Sequence, residues 1–140
     1  MLDGLYNTDI LTLASALRNE ALAGPCGTAR VVSKLCGSDL EIDVEMDGGL
    51  VTACALRVKA CALGQASAAI LKAGIIGADI KEVEAARDAL QAMLKTGGEA
   101  PAGRFSQLKL LAGVADYPAR HQSTLLAWNG AAKAMRDCLS

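Results

Sequence analysis

The sequence predicts an α+β fold: a three-stranded antiparallel sheet with helices packed on one face, a single domain spanning 1–140. Two patterns carry this prediction. Leu40 to Met46 alternates apolar and acidic residues, and Asp47-Gly48-Gly49 behind it is a hairpin signal returning through Leu50 to Val58. Elsewhere apolar residues recur at three- and four-residue steps, as amphipathic helices require. A chain of 140 residues is long enough for one compact core.

The elements follow in order. Asn7 or Thr8 caps a first helix through Ile10, Leu11, Leu13, Ala14 and Leu17. The turn residues of 23–27, with Gly24 and Pro25, end it. Thr28 to Leu35 is the first strand candidate. In the second, Leu40, Ile42, Val44 and Met46 face one way and Glu41, Asp43 and Glu45 the other, so one face of the sheet is expected to be wet. Ala62 to Ile75 reads as a small-residue helix whose Ala/Ser face allows close backbone packing. Asp79 caps the next helix, with Val83, Ala86, Leu90, Met93 and Leu94 as its stripe. A flexible loop covers 96–103. Leu108, Leu110, Leu111 and Val114 suggest one turn of helix, and a last helix runs from about Arg120 to Cys138.

Fourteen basic residues stand against fifteen acidic ones, so there is no basic surplus to hold a phosphate backbone and no nucleic-acid partner is expected. No segment approaches the roughly twenty apolar residues that cross a bilayer. Met1 to Tyr6 lacks a positive start followed by an apolar run, so no signal peptide is expected and the predicted compartment is cytoplasmic. Five cysteines in that compartment are expected to be free, metal-bound or catalytic rather than disulfide-linked.

Cys61 opens the helix Cys61-Ala-Leu-Gly-Gln-Ala-Ser-Ala. Helix starts present unpaired N–H groups that favour an anion, and a thiolate is one. Cys36, followed by Gly37, lies just ahead of the alternating strand. Two thiols at the ends of different elements suggest a small site for a soft metal or for sulfur chemistry. Plainer readings stand beside these. Cys54 reads as a strand residue, Cys26 as a turn residue and Cys138 as incidental near the chain end. Trp128 reads as core.

These pieces, with Tyr117-Pro-Ala-Arg-His-Gln-Ser-Thr-Leu-Leu-Ala-Trp128 at the start of the last helix, resemble the NifU/IscU/SufU iron–sulfur cluster assembly scaffold proteins over nearly the whole chain. The long stretch between Cys61 and that motif, together with Arg120 and Trp128, makes SufU-type members the most similar. The resemblance implies a site of three cysteines and one aspartate, holding a transient [2Fe–2S] cluster or, in SufU-type members, zinc. It also implies a cysteine desulfurase and recipient apo-proteins as partners. Cys36 and Cys61 match the first two family cysteines, and Arg120 matches an arginine placed near the site. The third cysteine position holds Ser123; the aspartate position holds Ser38, with Asp39 one residue later. A one-residue step along an extended strand turns a side chain to the other face.

A serine hydroxyl is a poor ligand for ions that thiolates hold well. His121, the sole histidine, is the substitute the sequence offers, so the candidate metal set is Cys36, Cys61, His121, Asp39 and Ser123. Cys61 and Arg120 are the candidate catalytic residues of a sulfur acceptor or zinc-dependent sulfurtransferase. The alternative is a diverged paralogue that binds a partner and no metal, with Ser123 capping the last helix and Arg120 and Asp39 as solvated charges.

Overall fold

The computed structural model describes residues 6–35 and 37–140. Helix α1 spans Thr8–Ala16, and the Asn7 side chain caps it by accepting the Ile10 N–H at 3.1 Å. Strands β1 (Gly27–Val32), β2 (Asp39–Asp47) and β3 (Leu50–Lys59) form one antiparallel sheet in the order β1-β2-β3. Helices α2 (Ala62–Gly74) and α3 (Ile80–Thr96) follow. A 3₁₀ stretch (Gly103–Asp116), a short 3₁₀ turn (Pro118–Arg120) and helix α4 (His121–Leu139) complete the chain. The α+β class and the three antiparallel strands are as the sequence predicts.

The register puts Ala29 opposite Ile42, Ile42 opposite Leu56 and Val44 opposite Cys54 on the face that meets the helices. Ile42 and Val44 are fully buried there, with α4 lying across β1 and β2. Two glycines let that helix approach. A Cβ on Gly130 would sit 3.2–3.3 Å from Leu40, Ile42 and Val31. A Cβ on Gly27 would lie 1.9 Å from the Ala134 carbonyl oxygen, which no side chain can do. Helix α2 packs between α1 and α4, and is buried around much of its circumference through Leu63, Ala66, Ser67, Ile70 and Leu71. The Asp79 capping box starts α3 and Gly97 in the left-handed conformation ends it, and its buried stripe is the predicted one.

Three expectations need correction. The region after the loop is not one turn of helix but fourteen residues of 3₁₀ structure, interrupted at Phe105. Its buried residues, Phe105, Leu108, Leu111 and Val114, recur every three positions, which matches three residues per turn and not 3.6. Phe105 meets the Trp128 ring edge-on, with centroids 4.9 Å apart. Next, the outer face of the sheet is not simply wet. Asp43 is 4% exposed on that face. It takes two hydrogen bonds from Arg57 at 3.0 Å, one from the Thr28 hydroxyl and one from the Leu22 N–H. The Arg57 hydrogen bonds hold the Asp43 carboxyl below its usual range. The chain before β1 also closes the open edge of β3: Glu20 donates its N–H to the Leu56 carbonyl, and Val58 donates to the Asn19 side chain.

Finally, Cys26 and Cys138 are not incidental. They form a disulfide, their Cα atoms 5.0 Å apart across 112 residues of sequence. The close approach of α4 at Gly27 brings the end of the helix onto the start of β1, and the two sulfurs meet there.

Candidate functional site

The site lies where α2 and α4 begin. Cys61 is the N-cap of α2, in extended backbone (φ −65°, ψ 169°), and its side chain makes no capping hydrogen bond. The half-buried sulfur instead lies 3.4 Å from Ser123 Oγ in the first turn of α4. Ser123 is 1% exposed, and Cys61 is its hydroxyl's partner among the described residues.

The contact follows from how tightly the two helices pack. Gly64 sits one turn into α2, where a Cβ would be 2.8 Å from Ser123 Oγ and 3.2 Å from the Ser123 carbonyl oxygen. One turn deeper, Ser67 donates its hydroxyl to the Thr124 carbonyl at 2.6 Å and accepts the Trp128 indole N–H at 2.9 Å. Both bonds are buried and fix the register of α2 against α4, and so the place of Cys61 against Ser123. The small-residue face of α2 was legible as a packing surface; Ser67 as a register pin was not, because its partners lie 57 and 61 residues away.

Cys36 lies outside the described residues, but the chain around it is tied down. Ser33 donates its N–H to the Ser38 carbonyl at 2.8 Å, and Gly37, at φ +70°, donates to the Ser33 carbonyl at 2.9 Å. The Ser33 hydroxyl donates to the Gln122 side chain at 2.9 Å. Gln122 immediately precedes Ser123, so the chain just after β1 is latched at Ser33 to the helix turn that faces Cys61. No local sequence signal marks this latch, whose ends are 89 residues apart.

Asp39 and His121 have partners of their own. Asp39 pairs with Arg30 at 3.7 Å, on the sheet face away from the helices. The shift that puts serine at position 38 and aspartate at 39 thus has the consequence expected of a one-residue step. His121 Nε2 lies 3.0 and 3.2 Å from the Val114 and Ala115 carbonyls, so that nitrogen carries the hydrogen and donates it to the 3₁₀ stretch. Arg120 forms the N-cap of α4, its carbonyl accepting the Thr124 hydroxyl at 2.8 Å, and its guanidinium makes no ion pair among the described residues. Cys54 is buried under the helices, where desolvation pushes its thiol up to about 11. It is the wrong form for a ligand or a nucleophile.

The comparisons with known proteins follow this geometry. The model of the NifU-like N-terminal domain matches residues 6–124. The chain belongs to this family. It is 46% identical to a nitrogen-fixing NifU-like protein (N-terminal) from Brucella abortus, whose crystal structure superposes with a TM-score of 0.95 over 99% of this chain and 96% of that one. It is 30% identical, over 72% of its length, to the iron–sulfur cluster assembly scaffold protein IscU of Streptococcus pyogenes, and spans 64% of that protein. It is 23% identical to the zinc-dependent sulfurtransferase SufU of Bacillus subtilis, covering 94% of this chain and 90% of that one.

Zinc can be tested against these residues. A sulfur and an oxygen sharing one tetrahedral zinc lie roughly 3.5 Å apart. The Cys61–Ser123 spacing of 3.4 Å is therefore that of two donors to one ion. The chemistry is not: a serine hydroxyl stays protonated at neutral pH. Among the described residues no three His, Cys, Asp or Glu side chains gather around one point. The spacing fits zinc; the serine hydroxyl is a poor donor for it.

Proposed function

We propose that this NifU-family chain serves iron–sulfur cluster assembly, with Cys61 as the thiol that receives sulfur and Cys36 as the second thiol that holds the growing cargo. The observation that carries the reading is the position of Cys61: half-buried at a helix start, with the buried Ser123 hydroxyl of a second helix start 3.4 Å from its sulfur. The family's other members named above, a cluster scaffold and a sulfurtransferase, support it. The sulfur donor is a cysteine desulfurase, and the cargo, iron with sulfide as a transient [2Fe–2S] unit, passes to recipient apo-proteins. Val32 and Leu35, 50% and 67% exposed and just before Cys36 in the sequence, give the donor enzyme an apolar surface to dock on. Arg120 lies at the same helix start as Ser123 and supplies a cation for an anionic persulfide.

Ser123 favours a second reading, a paralogue that binds the partner enzyme and carries no metal. Elemental analysis of protein purified without oxygen separates the two, with Cys36→Ala and Cys61→Ala alongside. Roughly stoichiometric iron that both substitutions abolish supports the scaffold. Absence of metal together with desulfurase binding that survives Cys61→Ala supports the partner-binding paralogue.

A further inference from the structure

We infer that Ser123 is the positioning residue for a metal-free sulfur-accepting Cys61, its hydroxyl doing by hydrogen bonding what a metal-bound third ligand would do by coordination. The inference rests on the reading of Cys61 as the sulfur-receiving thiol and adds the group that acts through it.

Three observations carry it. The Ser123 hydroxyl is buried and has the Cys61 sulfur as its partner among the described residues. A serine in a helix can return its hydroxyl to the carbonyl of the preceding turn, as Thr124 does to Arg120; the Ser123 hydroxyl lies instead 3.4 Å from the Cys61 sulfur, which as a thiolate can only accept from it. The Cys61 side chain takes no hydrogen bond from the N–H groups at the start of its own helix, so the stabilisation of its sulfur comes across the helix pair. Gly64, Ser67 and Trp128 hold that pair in place, so the donor is preorganised.

The substrate class is a sulfane sulfur carried as a thiol persulfide. The Cys61 sulfur, stripped of its proton, attacks the outer sulfur of the donor persulfide and forms a new S–S bond. The donor's own S–S bond breaks, and its electron pair leaves on the donor's inner sulfur. That sulfur takes up the proton Cys61 released. One sulfur atom has moved with no net oxidation or reduction. Throughout, the Ser123 hydroxyl donates to the attacking sulfur and holds it aimed out of the helix cleft. It neither gains nor loses a proton.

The test loads the full chain with glutathione persulfide in the presence of a chelator, and follows the added sulfur on the Cys61 peptide by mass. Wild type, Ser123→Ala and Cys61→Ala are compared. Loss of a hydrogen bond to a charged sulfur predicts a limiting rate about tenfold lower in Ser123→Ala. The donor concentration giving half that rate, and the thermal midpoint, are expected to stay in place. Equal limiting rates for wild type and Ser123→Ala, with Cys61 loaded in both, would overturn the inference and leave the function reading intact. Sulfur that loads equally well onto Cys61→Ala would overturn both. A further variant, Ser123→Cys, guards against misfolding as the explanation. It should bind added cobalt(II) more tightly than the wild type, read by its thiolate-to-metal absorption. No gain over the wild type would show that position 123 does not face the Cys61 sulfur and would overturn the inference.

Discussion

Reducing the Cys26–Cys138 bond should cost this protein much of its stability, and the size of the loss can be worked from the fold. The bridge closes 112 residues of a 140-residue chain, tying the last turn of α4 to the residue before β1. Chain-entropy theory assigns such a closure about 16 cal/mol/K, or about 4.8 kcal/mol at 25 °C, through the unfolded state. Unfolding entropy scales with length, so a 140-residue domain should lose about 16 °C in melting midpoint. The assay is thermal and urea unfolding of oxidised and reduced protein, followed by Trp128, the single tryptophan, which is buried against Phe105. Cys26→Ser and Cys138→Ser are the controls. Each should unfold near the reduced wild-type midpoint and be indifferent to reductant. A wild-type midpoint that reductant leaves within about 2 °C would refute the claim that this pair staples the fold. So would a large reductant effect that persists in Cys26→Ser.

Further outcomes follow from other contacts. Asp43→Asn removes the charge and one of the two acceptor oxygens of a two-pronged Arg57 contact on a covered sheet face, and should cost about 2 kcal/mol near neutral pH by denaturant unfolding. Because the folded-state carboxyl titrates below its unfolded value near 3.8, this stabilisation is complete above that pH and disappears as pH falls through the folded value. The gap between wild type and variant should therefore close in acid, and a gap unchanged down to pH 2 would contradict the assignment. Gly64→Ala places a methyl 2.8 Å from Ser123 Oγ and should destabilise by roughly 2 kcal/mol through forced separation of α2 and α4. It should slow sulfur loading of Cys61 as well, and an unaffected loading rate would show that the helix spacing does not set the site. Cys54, with its thiol pushed up to about 11 by burial, should resist alkylation near neutral pH until the protein unfolds. Labelling of native Cys54 as fast as Cys61 would disprove that.

Much of the architecture was legible because local and global signals agree. The alternation of 40–46, the Asp47-Gly48-Gly49 turn and the Asp79 cap each describe one element and needed no distant partner. The position of Ser123 opposite Cys61 was legible through family resemblance alone, since nothing within either helix announces the other. What stayed hidden depends on close approach between distant segments. Gly27 reads as a turn residue until α4 is laid against it, and then the Cys26–Cys138 pairing follows. Asp43 reads as solvated because its cover, residues 19–22, has no strand pattern of its own. The three-residue spacing of Phe105, Leu108, Leu111 and Val114 was on the page, but it differs too little from helical spacing to be noticed before the backbone is known.

That three-residue spacing gives the second half of the chain an uneven tolerance for added length. One residue inserted between Phe105 and Val114 would rotate everything beyond it by about 120°, sweeping apolar side chains off α2 and α3 together. A few residues upstream, Gly97 to Glu99 are exposed, outside any helix or strand, and follow the completed cap of α3. An affinity tag, a fluorophore or a whole inserted domain belongs there, where new chain ends leave the Cys61–Ser123 pair undisturbed.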